Sequence, residues 1–257
     1  MGLIDMDFDF LRTNPRARKF KRFIEYATGF SRYSSKRLVS LLELYDTPTV
    51  CDIGANSGQF GVDLHSAGFK GKLISYEPAK KPFADLMKIS SKYSNWEAKN
   101  LALGDKNRQA ALHIASNHGL NSSFLLKNEL HQKFLPSIKF SNDEYVEMVT
   151  FKRDFSSWET KTLPVLVKLD VQGYELQVLK GFGNFLKSVD LLFLEISLMP
   201  LYEGESELLE ILSFLSEHNH FVKDIFYGAR NKNNELMQID VLTSRFLDQK
   251  DKLYIEL

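Results

Sequence analysis

Cys51 to Phe60 reads CDIGANSGQF, an apolar strand end that carries an acid and runs into a series of small residues. Thr49, Val50, Cys51 and Ile53 give it the β-branched or small apolar character of a buried parallel strand. Gly54 and Gly58 permit a tight turn that a Cβ would obstruct, and from Gly58 onward the pattern predicts a helix. A helix that begins there leaves unpaired N–H groups beside the turn, a ready environment for a nucleotide. The stretch therefore predicts strand, cofactor loop and helix, the opening unit of a doubly wound α/β sheet.

The spacing separates the kinds of nucleotide loop. A dinucleotide fingerprint starting at Gly54 needs glycine at 56 and 59, where Asn56 and Gln59 stand. A phosphate loop needs Gly-Lys at 59 and 60, where the chain has Gln59 and Phe60. Asp52 instead places a carboxylate before the turn, which repels pyrophosphate and suits a cationic amine such as the amino group of S-adenosylmethionine. A second acid, Glu77, ends the short strand of KLISYEP, with Pro78 after it. Its offset from Gly54 is 77 − 54 = 23 residues, about the separation that brings an acid to ribose hydroxyls in a βαβ unit. Alone, Glu77 reads as a surface carboxylate at a strand end; beside the 52–58 loop it reads as a ribose ligand.

Five blocks in order carry a resemblance: VCDIGANSGQFG, YEP, NLALGD at 100–105, VKLDVQGYELQVLKGF at 167–182 and LFLEIS at 192–197. Together they resemble the FkbM family of S-adenosylmethionine-dependent methyltransferases over residues 48 to 243. The family's fourth block reads close to K-I-D-V-E-G-x-E; Lys168, Asp170, Gly173 and Glu175 match it, and Gln172 stands where it has an acid. The resemblance implies a class I methyltransferase fold of Rossmann-like plan. It implies a cofactor site made of Asp52, Gly54, Ala55, Asn56, Gly58, Gln59, Glu77, Pro78 and Asp170, with Leu101 and Ala102 lining the adenine. Asn121-Ser122-Ser123 resembles the family's serine-containing loop near the cofactor, although ordinary turn chemistry explains it equally well.

Outward from these blocks, an amphipathic helix is predicted over 80–93 and a third strand over 96–105. Residues 106–164 are more polar, with strands at 109–115 and 145–152 that would pair. Val165 to Leu169 reads as an apolar strand with Asp170 at its edge, and Asp170 could cap a helix beginning near Gly173. Leu208 to Leu215 has helical periodicity, followed by strands at 220–227 and 236–243 joined by an Asn/Lys turn. Two strands joined without a helix must run antiparallel. The expected fold is thus a mostly parallel seven-stranded sheet with a C-terminal antiparallel hairpin. Asp52, Glu77, Asp170 and Glu195 each fall at the strand edge where such sheets bind ligands.

Composition bounds the rest. The chain has 257 residues, 44% hydrophobic, enough for one sizeable α/β domain. Lys plus Arg and Asp plus Glu number 33 each, so no global field draws nucleic acid. One cysteine forms no internal disulfide, and neither a secretory apolar core nor an 18-residue apolar span is present, which predicts a cytoplasmic protein. Residues 1–46 read as an N-terminal helical extension to a methyltransferase domain at 47–257. Arg12, Arg16, Arg18, Lys19, Lys21 and Arg22 interleave there with Leu11, Phe20, Phe23 and Ile24. Such a helix either packs on the domain or docks on a membrane surface or substrate.

The functional expectation is methyl transfer from S-adenosylmethionine to a hydroxyl of a sugar, glycolipid or similar small molecule. Asp170 is the first candidate for the base that takes the acceptor proton, Glu195 the second. His118 and His131 fall in the region expected to cover the acceptor pocket. No metal is expected, because two carboxylates lack a defined third ligand. Two alternatives stay open: a catalytically silent S-adenosylmethionine-binding module, suggested by Gln172, and a nicotinamide-dependent oxidoreductase, disfavoured by Asn56 and Gln59.

Overall fold

A seven-stranded sheet organises the computed structural model, which describes residues 32–46, 48–158 and 162–245. Its strands are β1 (Thr49–Ile53), β2 (Lys72–Tyr76), β3 (Trp96–Lys99), β7 (Leu166–Leu169), β8 (Leu191–Ser197), β9 (His220–Tyr227) and β10 (Gln238–Arg245). They lie in the order β3-β2-β1-β7-β8-β10-β9. The first five run parallel, and β10 is antiparallel to both of its neighbours. From β1 the chain winds first toward β3 and then, through β7, toward β9. The ligand-binding switch point of such a sheet therefore lies at the C-terminal ends of β1 and β7. The expected terminal hairpin is present as β9–β10.

Alternation along the strands fills two cores. Val50, Leu166, Leu191 and Leu242 point to one face, beneath Phe60 and Leu64 of α2 (Gln59–Ser66) and Leu86 of α3 (Lys80–Ser90). Leu38, Val39 and Leu42 of α1 (Arg32–Leu42), spaced three and four apart, bury against that same face. The basic segment 11–24 lies outside the described residues. Cys51, Ile53, Val167, Leu169 and Val241 point to the other face, under α6 (Glu175–Phe182) and α7 (Leu208–Glu217).

Two expectations about the middle of the chain need correction. The strand predicted over 96–105 divides: β3 stops at Lys99, and Ala102–Leu103 (β4) joins a second, three-stranded sheet, beside Phe140–Val149 (β6), which pairs in turn with Arg108–Ala115 (β5). Asn100 turns the chain between them, its side-chain amide donating to the carbonyls of Glu77 (2.9 Å) and Pro78 (3.0 Å). The strands β5 (Arg108–Ala115) and β6 (Phe140–Val149) do pair antiparallel, but residues 150–152 do not continue β6. Thr150 accepts a hydrogen bond from the Arg153 N–H at 3.3 Å and caps the helix α5 (Phe151–Ser156). The link between β5 and β6 carries a short helix, α4 (Glu129–Phe134), so the pair is no tight hairpin.

Candidate active site

Strand register brings the acids of the sequence into one line. Ile53 is paired with Tyr76 and Leu169, Leu169 with Leu194, and Glu195 with Asp240. One step on, Glu77, Gly54, Asp170, Glu195 and Asp240 form a row across the strand ends. A cleft opens along this row. Gly54, Ala55, Asn56, Gln59, Glu77, Pro78, Leu101, Ala102, Asp170 and Glu195, all expected at the site, line it together.

At the β1 end the loop owes its path to Gly54, in the left-handed region at φ 79°. A Cβ there would sit 1.9 Å from the Asp170 carbonyl oxygen, so only glycine lets the β1 and β7 ends approach this closely. Glu77 holds the loop down. Its two oxygens accept the N–H groups of Asn56 and Ala79, each at 2.8 Å, and each oxygen keeps a lone pair. Burial pushes the Glu77 carboxyl up to about 7 against those two donors.

Two expected cofactor residues do not reach the cleft. Asp52 lies one pleat below Gly54 on the same face, fully buried. Ser75 donates to it at 3.2 Å, and the Lys168 ammonium stands 3.3 Å from its Oδ1, between it and the cleft. Burial raises the Asp52 carboxyl and Lys168 opposes that rise. Gly58 is the left-handed cap of α2, facing Leu86 and Trp96.

Sequence reasoning gave Lys168 no role, yet it organises the floor. Its ammonium donates to the Gly54 carbonyl (3.2 Å) and to Asp170 Oδ2 (3.3 Å) and forms an ion pair with Asp52 Oδ1 at 3.3 Å. Burial alone would lower its pKa; Asp170 and then Asp52 outweigh burial and keep the ammonium charged. Gln172 fixes the other side of the site. Its amide nitrogen donates to Asp170 Oδ1 and to Glu195 Oε1, both at 2.9 Å. Its amide oxygen accepts from Asn121 (2.8 Å) and from the Tyr202 hydroxyl (2.9 Å). An acid at 172 could donate to neither carboxylate, so the departure from the family pattern gives Asp170 and Glu195 a shared hydrogen-bond donor.

Asp170 is not a helix cap. No side chain caps α6; Glu175 at its start folds back on the preceding turn, accepting the N–H groups of Val171 (3.0 Å) and Gly173 (3.3 Å). Ser122 lines the cleft, and the Ser123 hydroxyl donates to the Gln172 carbonyl at 2.7 Å. His131 is buried away from the cleft against Tyr202, and its pKa is pushed down to about 4 by burial and Lys127. His118 contributes its carbonyl, which accepts from the Asn56 side chain at 3.3 Å. Asp240 was missed altogether; its signal is an acid between apolar residues in QIDVL of a buried strand.

Residues 52–222 match the methyltransferase FkbM domain family. The chain belongs to this family. It is 27% identical over 207 residues to the 2-O-methyltransferase NoeI of Sinorhizobium fredii, covering 76% of this chain and 84% of that one. Solved structures with similar folds include magnesium protoporphyrin IX methyltransferase from Synechocystis with bound S-adenosylmethionine. That match has a TM-score of 0.45 and 11% identity, and covers 92% of this chain and 94% of that one. Another is TrmK of M. capricolum with S-adenosylhomocysteine, with a TM-score of 0.47 and 9% identity, covering 84% of this chain and 68% of that one. As a member of the FkbM family, the protein is an S-adenosylmethionine-dependent methyltransferase. No helix among the described residues is long and apolar enough to cross a membrane.

The buried acids set a pH dependence. Burial raises Glu77 to about 7 and, aided by Glu205, Glu175 to about 8; burial and Asp170 raise Asp240 to about 8. Carboxyls whose pKa is higher folded than unfolded stabilise the fold below the unfolded value, and that stability is lost as pH rises through the folded value. His131 and His220, both lowered to about 4 by burial, act only below about pH 6.5. The ligand-free protein should therefore lose on the order of 2–4 kcal/mol of stability between pH 6.5 and 8.5, read from urea midpoints at constant ionic strength. A flat profile over that window would contradict it.

Proposed function

We propose that the protein methylates a hydroxyl of a sugar, glycolipid or similar small-molecule acceptor. The observation that carries this reading is Asp170, whose side chain is 28% exposed in the cleft while both oxygens are held in place, Oδ1 by Gln172 and Oδ2 by Lys168. A fixed carboxylate at a cleft mouth is suited to take the proton of an acceptor hydroxyl, a contribution of about 10²–10⁴-fold.

The residues present fit the cofactor. The turn at Gly54 brings backbone close without a side chain, Glu77 keeps lone pairs for ribose hydroxyls, and Leu101 and Ala102 offer an apolar wall for adenine. Ala55, Asn56, Gln59 and Pro78 complete that side. When bound, S-adenosylmethionine supplies an electrophilic methyl on a positively charged sulfur. The cleft's charge suits it: the Asp, Glu, Lys and Arg residues lining it are Asp63, Glu77, Asp170, Glu195, Asp240 and Lys168, five acids and one lysine. The same excess of acid disfavours a nucleic-acid acceptor and the pyrophosphate of a nicotinamide cofactor. A cytoplasmic location is part of the proposal, resting on composition alone.

Two measurements test it. Isothermal titration should give S-adenosylhomocysteine binding that Glu77→Ala weakens by about 1–3 kcal/mol, and labelled methyl should pass from S-adenosylmethionine to at least one sugar of a panel. Binding of NADH with no binding of the adenosyl cofactor would sink the reading.

A further inference from the structure

Glu195 and Asp240 stand directly opposite each other on the antiparallel strands β8 and β10, and both line the cleft. Opposed residues in such a pair have Cβ atoms about 4.5–5.5 Å apart, so their carboxyl groups share one space. Glu195 Oε1 is fixed by two amide donors, Gln172 (2.9 Å) and Gln238 (2.7 Å). Asp240 is different. It is 3% exposed, and its buried Oδ2 has no hydrogen-bond partner among the described residues. A buried acceptor left unmatched costs about 1–3 kcal/mol, and the neighbouring side chains do not relieve it. The Lys168 ammonium donates to Gly54 and Asp170 and pairs with Asp52, and Asp240 Oδ2 receives no hydrogen bond from it.

We propose that Asp240 and Glu195 form the recognition subsite for the acceptor, binding adjacent hydroxyls of a neutral polyol, as in a sugar diol, and turning away anionic acceptors. The inference rests on the methyltransferase reading above and names which acceptors that site takes. What it lacks is donors, which the ligand must bring. Burial and Asp170 raise both acids, and Asp240 raises Glu195 further, so the pair tends to retain a proton. A carboxylate beside a carboxylic acid accepts one hydrogen bond and donates another, the complement of two hydroxyls that each do both. A carboxylate or phosphate on the acceptor would meet Asp170, Glu195 and Asp240 with Lys168 already spent. Among the described residues no group of three or more His, Cys, Asp or Glu is placed to hold a metal.

Calorimetric titration of the S-adenosylhomocysteine-loaded protein tests this without turnover. The probes are the neutral methyl glycosides of fucose, rhamnose, mannose and glucose, with methyl glucuronide and methyl glucosaminide beside them. The wild type should bind a neutral glycoside and not the glucuronide. Asp240→Leu should weaken that glycoside by about tenfold or more while S-adenosylhomocysteine affinity stays within about twofold. Should Asp240→Leu fail to fold, the smaller Asp240→Ala, which removes the polar group without adding bulk, carries the measurement, with a loss in the same direction. Unchanged glycoside affinity with cofactor binding intact would overturn the subsite alone, as would preferred binding of the glucuronide or the glucosaminide. A wild type that binds S-adenosylhomocysteine but no glycoside would overturn the sugar reading and the subsite with it.

Discussion

Gly54→Ala should abolish measurable binding of S-adenosylhomocysteine and destabilise the fold by about 2–5 kcal/mol. Two costs add. Any residue with a Cβ pays about 1–2 kcal/mol to hold φ at 79°. The new methyl would also sit 1.9 Å from the Asp170 carbonyl oxygen, a backbone atom just past β7 in the residue whose N–H donates to the Ile53 carbonyl. Overpacking of this kind costs about 1–3 kcal/mol or more, because no flexible side chain can yield. Relief requires the β1 and β7 ends to part, which moves the loop that carries Ala55 and Asn56 away from Glu77. Urea denaturation and calorimetry measure the two effects, and a variant matching wild type in both would refute this account of the loop.

Asp170→Asn should lower the methyl-transfer rate by about 10²-fold or more while cofactor affinity changes by no more than about threefold. The substitution keeps the shape and can keep the oxygen that accepts from Gln172, but it removes the basic oxygen that faces Lys168. Binding and turnover then come apart, which separates a catalyst from a silent cofactor binder. Turnover equal to wild type would exclude Asp170 as the base and move the role to Glu195, which lies in the same row and shares the Gln172 amide.

How much of this was legible without coordinates depends on the range of each interaction. The loop at 52–58, the strand ending at Glu77 and the terminal hairpin were readable because each is specified by residues within one turn or one alternation of each other. The strand breaks at Asn100 and Thr150 were not, since each depends on a side chain capturing backbone groups that no periodicity reveals. Asp52, expected beside the cofactor, is fully buried one pleat below the cleft. Its depth below the cleft is set by Lys168, 116 positions away, crossing over it.

By itself, then, the sequence determined the doubly wound order of strands and helices and the placing of Glu77, Asp170 and Glu195 at strand ends, because local patterns of burial and turn residues dictate these. Only the tertiary structure decided that Lys168 ties Asp52 to Asp170, that Gln172 joins Asp170 to Glu195, and that Asp240 stands opposite Glu195 with an unmatched oxygen. The reason is physical: these contacts arise from register between strands far apart in the chain, and a slip of one residue would turn each side chain to the opposite face.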